Sequence, residues 1–86
     1  MNNLDEKIAL VMEILELSIN ITNNSATDVF CDYSGHTNGL SVRVMLNGWN
    51  PETMESSYSK ILYLDRCKVN DLKEVVDYLQ AIKEEK

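Results

Sequence analysis

The sequence predicts an α+β domain with the element order α-β-β-β-α, in which a three-stranded antiparallel sheet carries two helices packed on one face. Apolar residues recur at helical spacing near both ends of the chain, and they alternate with polar residues in between. Turn-forming residues separate these stretches. Because 86 residues suit one domain and are too few for two ordinary ones, we expect a single domain over residues 1–86.

The first helix is predicted by two apolar stripes at helical spacing. Asn3 is the expected N-cap, with Glu6 as its capping-box partner, and the turn-forming run 22–25 is expected to end the helix. The stripes consist of Leu4, Ile8, Val11, Met12, Leu15 and Ile19, and of Leu10, Ile14, Leu17 and Ile21. Together they cover more than half of the helix circumference. We therefore expect contacts on two sides: with the sheet, and with either the second helix or another protein chain.

A hairpin follows, with predicted strands Thr27–Tyr33 and Leu40–Asn47 and the loop Ser34–Gly39 between them. Alternation predicts that Arg43 lies opposite Phe30 on the outer face. The predicted inward pairs are Tyr33 with Leu40, Cys31 with Val42, and Val29 with Val44. The predicted outer face consists of Asp28, Phe30, Asp32, Ser41, Arg43, Met45 and Asn47.

The third strand is predicted over Tyr58–Asp65. This run is nearly continuously apolar, so alternation does not decide which of its faces is inward. Two orientations are open: the outward pair is Ile61 and Tyr63, or it is Leu62 and Leu64.

The second helix is predicted over Asp71–Glu84, with Asn70 or Asp71 as its cap. Its apolar residues form a single stripe of Leu72, Val75, Val76, Leu79 and Ile82. A single stripe is typical of a helix that lies on the surface of a sheet.

The charge balance excludes several partners. The chain has 14 acidic and 8 basic residues, so its net charge is −6. Sequence-independent binding to nucleic acid neutralises phosphates with Lys and Arg, and anionic membranes attract the same residues. We therefore expect no direct nucleic-acid partner and no membrane partner. A protein with a basic surface fits the charge better.

The order α-β-β-β-α resembles that of the double-stranded-RNA-binding domain. Such domains hold phosphates with a lysine-rich start of the last helix, and they contact the minor groove with the first helix. Here the last helix opens with Asn70, Asp71, Leu72, Lys73 and Glu74, and the first helix is acidic on its polar face. The resemblance is therefore one of topology, without the residues that would bind RNA.

The residues that catalysis or metal binding would need are few and far apart. Cys31 and Cys67 form no CxxC motif, and the one histidine, His36, lies in the hairpin loop. Asp28 and Asp32 on an extended strand are about 13 Å apart, too far to share a proton. We therefore predict that the chain is not an enzyme and holds no metal and no cofactor.

We expect a cytoplasmic protein with reduced thiols. Residues 1–6 are acidic where a secretory signal needs a basic segment. No run approaches the ~20 apolar residues of a membrane-spanning helix.

The outer face of the sheet is the predicted contact surface. The predicted partner-binding residues are Phe30, Arg43, Met45, Trp49 and Tyr63. Interface centres are rich in aromatic residues, Met and Arg, and monomers seldom leave a large apolar sheet face uncovered. The alternative is that Arg43 stacks on Phe30 and Trp49 folds back over the end of the sheet.

These observations predict a small acidic protein–protein interaction domain of the accessory, adaptor or inhibitor type, with a homodimer as the expected assembly. In general character the chain is similar to bacterial or prophage accessory proteins. The alternative is an acidic nucleic-acid mimic that blocks a basic groove of a DNA- or RNA-binding protein. A mimic would use the polar face of the first helix, which consists of Glu6, Glu13, Glu16 and Asn20.

Overall fold

The computed structural model describes residues 3–46 and 57–84 and has the predicted α-β-β-β-α architecture. The sheet order is β1-β2-β3, and both strand pairs are antiparallel. The elements are α1 (Asn3–Asn24), β1 (Asp28–Ser34), β2 (Gly39–Met45), β3 (Tyr58–Tyr63) and α2 (Val69–Glu84).

The predicted hairpin register is confirmed. Tyr33 pairs with Leu40, and Arg43 lies opposite Phe30. Asn38 has a φ of 55° in the turn, a conformation that Asn tolerates better than most residues. Its side-chain oxygen accepts a hydrogen bond of 2.6 Å from the Tyr33 hydroxyl, which ties the turn to the end of β1.

The structure decides the orientation of β3. Leu62 and Leu64 are buried in the core, whereas Ile61 and Tyr63 point outward. The strand ends at Tyr63, two residues earlier than predicted. The reason is a turn, in which the backbone N–H groups of Arg66 and Cys67 both bond to the Tyr63 carbonyl oxygen.

The core lies between the sheet and the two helices. Its buried members are Ile14, Leu17, Ile21, Leu40, Val42, Val44, Leu62, Leu64, Leu72, Val75, Val76 and Leu79. Burial of one such side chain contributes roughly 1.5–3 kcal/mol. All members from α1 come from its second half, and residues 3–13 include no buried side chain. The first half of α1 is therefore attached to the domain by partial contacts.

The first helix continues to Asn24, through the predicted turn, and side chains add hydrogen bonds to carbonyl groups in its last turns. The side-chain amides of Asn23 and Asn24 donate to carbonyl oxygens four residues earlier, at 2.7 and 2.9 Å. The Thr27 hydroxyl then donates to the Leu46 carbonyl oxygen at 2.8 Å. This bond joins the start of β1 to the end of β2.

The second helix begins at Val69, two residues before the predicted start. The predicted cap position is therefore wrong: Asp71 lies inside the first turn, where its carboxylate accepts a hydrogen bond of 2.8 Å from the Lys68 N–H. Further along, Tyr78 stacks on Tyr58 of β3 with ring centroids 4.0 Å apart. These contacts hold α2 over the β3 side of the sheet.

Candidate protein-binding surface

One of the two apolar stripes of α1 remains exposed. Leu10, Ile14, Leu17 and Ile21 turn toward the core, either buried or packed against it. The other stripe, named here the α1 stripe, consists of Leu4, Ile8, Val11, Met12, Leu15 and Ile19. Except for the partly buried Val11, its members are 48%, 44%, 65%, 47% and 56% exposed, in that order. An exposed row of this length is the feature of the fold that most resembles a contact surface.

The α1 stripe continues into depressions beside β1. One, of about 450 Å³, lies between the first half of α1 and Tyr33, with Leu64 also in its lining. A second, of about 260 Å³, lies between the second half of α1 and the side chains of Val29 and Cys31. Both lie along the line where α1 and β1 pack against each other, so together they form a groove beside the strand. A partner side chain could enter the groove at either depression.

Carboxylates line the other side of the α1 stripe. Asp5, Glu13 and Glu16 are exposed. At about 100° per residue Asp5 and Glu16 lie directly beyond Met12 and Ile19, whereas Glu13 lies further around the helix, toward Leu17 of the core stripe. The basic residue of α1, Lys7, points elsewhere, because its Nζ donates to the Leu64 carbonyl oxygen at 2.6 Å. The apolar surface therefore has one acidic border.

On the outer face of the sheet, an arginine covers the aromatic ring of Phe30. The guanidinium carbon of Arg43 lies 5.0 Å from the centre of that ring, across the β1–β2 pair. This is the stacking that the sequence left open as an alternative to a contact surface. Phe30 is only partly exposed as a result, and part of its face is already in contact with a cation.

Tyr63 lies away from this pair. It is aligned with Gly39, four residues along β2 from Arg43, which corresponds to about 13 Å. Its ring packs over Gly39, where an added Cβ would come within 3.2 Å of it. Arg66 covers the ring, with its guanidinium carbon 5.4 Å from the ring centre. The structure therefore does not bring Tyr63 together with Phe30 and Arg43 in one patch.

Neither of the two remaining predicted contact residues adds to the apolar surface that the described residues expose. Met45 is on the outer face by strand parity and lies outside the main core cluster, yet it is only 3% exposed. Trp49 lies outside the described residues. What the outer face does expose is Ile61, at 58%, with Tyr63 at 39%.

The sequence-based list of contact residues omitted the α1 stripe. The signal was nevertheless present, since a second stripe on the first helix exceeds what a sheet and one neighbouring helix can cover. Tertiary packing was needed to show that the stripe beginning at Leu4, and not the one beginning at Leu10, is the exposed one.

Few reactive or metal-binding side chains lie close together in the described part of the chain. Burial raises the pKa of the Cys31 thiol, Asp32 raises it further, and a hydrogen bond with Ser18 partly opposes both effects. His36 is exposed in the hairpin turn. Within residues 3–46 and 57–84, no group of three or more His, Cys, Asp or Glu side chains is placed to hold a metal ion.

Comparison with known proteins gave no match: no family model, no curated protein and no solved structure matches this chain. None of the described helices has both the length and the apolar character needed to cross a membrane.

Proposed function

We propose that this chain is a small protein–protein interaction domain of the accessory, adaptor or inhibitor type, which self-associates and uses the α1 stripe as its contact surface. The observation that carries the proposal is the row of five large apolar side chains, each at least 44% exposed, along one helix. A helix that uses one apolar face for its own core and offers a second is typical of helix-mediated recognition.

The size of the exposed surface supports this function. A fully exposed large side chain presents roughly 150–200 Å², so the α1 stripe and Tyr33 leave about 500–600 Å² of surface open to solvent. This area is at the upper end of the roughly 300–600 Å² that the largest apolar patch of a monomer occupies, and one side of a standard interface covers about 800 Å². The row therefore provides most of one side of an ordinary interface.

The helix supports this role better than the sheet face. On the outer face, Arg43 and Arg66 already cover the rings of Phe30 and Tyr63. A partner there would contact the guanidinium groups in place of the covered parts of these rings. On α1 the apolar side chains are open, and the nearest charges lie at the border of the row.

A matched pair of substitutions tests the proposal. Ile19 on α1 and Ile61 on β3 are the same residue type with nearly equal exposure, 56% and 58%. The unchanged chain should have a mass near twice 9.8 kDa by light scattering at micromolar concentration. Ile19→Glu should convert it to a monomer, because a carboxylate would be buried in the interface without a partner. Ile61→Glu should leave the dimer intact.

A monomeric unchanged chain at every concentration up to about 0.1 mM, where even a weak dimer would form, would contradict self-association. Dissociation by Ile61→Glu alone would move the contact surface to the outer face of the sheet. Thermal unfolding of each variant, followed by circular dichroism, is the control, since both positions are exposed and neither substitution should unfold the monomer.

The alternative function, an acidic nucleic-acid mimic, rests on a different feature of the same helix. Glu13 and Glu16 are exposed next to each other on α1, and Asp5 extends the row. A mimic would bind a basic protein, and such binding weakens as salt screens the charges. Apolar self-association has the opposite salt dependence in an acidic chain.

A further inference from the structure

The geometry points to a peptide-binding site in the groove between α1 and β1, whose occupant is a partner segment in extended conformation with alternating apolar and basic residues. The segment adds as a further strand to the free edge of β1, and its apolar side chains contact the α1 stripe. The inference rests on the proposed function, because it takes the α1 stripe as a contact surface. It names the chemistry of a partner other than a second copy.

The register of the sheet shows which backbone groups of β1 face its free edge. β1 is an outer strand in the order β1-β2-β3. The Leu64 N–H donates to the Asn38 carbonyl oxygen at 2.9 Å, so the β2 residues in step with Asn38, the even-numbered ones, bond to β3. Because bonding alternates along an antiparallel strand, the odd-numbered residues of β2 bond to β1. By the pairing of the two strands, Val29, Cys31 and Tyr33 then direct their N–H and carbonyl groups away from β2.

One hydrogen bond confirms this direction and shows where the open part of the edge begins. The Val29 N–H donates to the Thr22 hydroxyl oxygen of α1 at 3.0 Å. Beyond it, the N–H and carbonyl groups of Cys31 and Tyr33 have no hydrogen-bond partner within residues 3–46 and 57–84. An extended chain supplies the missing donors and acceptors, whereas a helix has bonded its own backbone groups internally. The edge therefore selects an extended occupant.

The side chains around this edge select the residues of that occupant. The depression beside Cys31 is also lined by Leu15 of α1, and the depression beside Tyr33 is also lined by Ile8. Cys31 and Tyr33 are two residues apart, and side chains on one face of a strand recur about every 6.8 Å. Successive inward side chains of an added strand thus reach the two depressions, where apolar residues fit.

The outward side chains of the added strand would lie beside an acidic row. Asp28 and Asp32 flank Phe30 on the outer face of β1, and Asp32 is exposed. Arg43 lies one strand further from the edge and stacks on Phe30. Opposite charges on neighbouring strands stabilise the pair, and like charges destabilise it. A second copy adding its own β1 would bring the same aspartates to this edge, so the charges favour a basic segment.

The other edge of the sheet is less suited to an added strand. Lys60 is exposed at an inward position of β3, and an inward charge on an edge strand opposes the addition of another strand. The Tyr63 carbonyl oxygen, which faces that edge, already accepts bonds from the N–H groups of Arg66 and Cys67. Of the two edges, β1 is the one that fits a partner strand.

Backbone methylation of a short peptide tests the extended conformation. The probe is a fluorescein-labelled peptide of about seven residues in which valine and lysine alternate, and fluorescence polarisation measures its binding at protein concentrations up to about 0.1 mM. Only alternate residues of an added strand bond to its neighbour. N-methylation of one set, valines or lysines, should therefore weaken binding by about tenfold or more, and N-methylation of the other set should leave binding unchanged.

Three results would overturn the inference. Loss of binding with either set methylated would mean that the peptide binds as a helix. No loss with either set would mean that its backbone makes no contact. Absence of binding by the unmethylated peptide would remove the site.

A matched pair of substitutions locates the peptide at β1. Tyr33→Pro and Tyr33→Ala both remove an exposed ring, but only proline also removes the N–H that faces the edge. The fold should tolerate both changes, since that N–H does not bond to β2, and circular dichroism checks this. Tyr33→Pro should bind the peptide about tenfold more weakly than Tyr33→Ala. Equal affinities would place the peptide elsewhere and overturn the inference.

Charge reversal tests the basic character of the segment. Asp32→Lys should weaken binding of the lysine peptide and strengthen binding of a peptide with glutamate in place of lysine. The control is Asp77→Lys, the same change of charge at an exposed position of α2, which should leave the preference for lysine in place. Equal effects of the two variants would show that only net charge matters, and would contradict the assignment to β1.

Self-association is measured separately, by light scattering without peptide. A chain that stays monomeric and binds the peptide at β1 would support the inference and remove self-association from the proposed function. A dimer that does not bind the peptide would overturn the inference and leave the proposed function standing.

Discussion

Two arginine side chains cover aromatic rings on the outer face of the sheet. Arg43 covers Phe30 from the neighbouring strand, and Arg66 covers Tyr63 from the turn after β3. The first contact follows from the hairpin register, which alternation predicts. The second depends on a turn that ends β3 early, and no sequence pattern indicated it. Both contacts reduce the apolar surface that the same residues would otherwise offer.

Folding changes the reactivity of the Cys31 thiol. It lies half-buried at the groove between α1 and β1, next to Asp32 in sequence. Burial is the main reason that its pKa is raised above the ordinary value of 9.0, and the charge of Asp32 adds to the effect. The thiol should therefore react slowly at neutral pH, since the thiolate is the nucleophile.

We expect the alkylation rate of Cys31, measured in a Cys67→Ala background, to rise with pH and to level off above pH 9.0. In urea the profile should move back to that of an ordinary thiol. The native state binds the proton more tightly than the unfolded state does. The Cys31 thiol therefore makes its full contribution to the free energy of unfolding at pH values below its ordinary pKa. That contribution is lost as pH rises through the native pKa. A native profile with its midpoint below that of the unfolded chain would contradict this assignment.

Among the elements, α1 differs from the others in its length. Its 22 residues span about 33 Å, whereas the 7 residues of β1 or β2 span about 23 Å. The sheet can therefore cover only part of the helix, and the buried residues of α1 all fall between Ile14 and Ile21. The mismatch in length accounts for the lack of buried side chains in residues 3–13, whereas the α1 stripe is exposed in both halves of the helix.

The start of α2 allows a test of one capping interaction. Asp71→Ala should lower the free energy of unfolding by about 1 kcal/mol, because the Lys68 N–H loses its acceptor and the helix N-terminus loses a favourable charge. Urea unfolding measures the change. The matched control is Asp77→Ala, at an exposed position inside α2, where the same gain in helix propensity should leave stability unchanged or slightly higher. Equal losses for the two variants would show that the carboxylate of Asp71 does not cap the helix.

At the scale of the whole molecule, charge opposes association and apolar surface favours it. Each copy has a net charge of −6, and the acidic residues Asp5 and Glu16 border the proposed interface. Salt shortens the range of the repulsion and leaves apolar contacts intact. The dimer dissociation constant should therefore depend on ionic strength. The direction of that dependence distinguishes apolar self-association from binding between opposite charges.

We expect the dimer dissociation constant to fall as sodium chloride rises from about 0.1 M to about 1 M, where the Debye length shortens from about 10 Å to about 3 Å. Sedimentation at several concentrations in each buffer measures it. In Glu16→Lys the salt dependence should be smaller, because the border of the row loses one carboxylate and gains an ammonium group. A dimer that weakens with salt would contradict this prediction and indicate an interface held by opposite charges on the two copies.

Much of this fold could be predicted from local patterns. The element order, the hairpin register and the pairing of Phe30 with Arg43 depend on periodicity and turn residues, and the structure confirms them. The ends of elements were less accurate: β3 stops at Tyr63 and α2 begins at Val69, because turn hydrogen bonds involving nearby backbone and side-chain groups decide where each ends.

The sequence by itself determined that α1 carries two apolar stripes and that the chain is acidic. It did not determine which stripe is buried, since both recur at helical spacing and both consist of large apolar residues. Packing decided that, because α1 can turn only one stripe toward α2 and the sheet, and the stripe through Ile14 fills that space. The orientation of β3 was decided in the same way, since a continuous apolar run has no periodicity to distinguish Leu62 from Tyr63. Periodicity is a property of one element, whereas burial depends on which neighbours share the space.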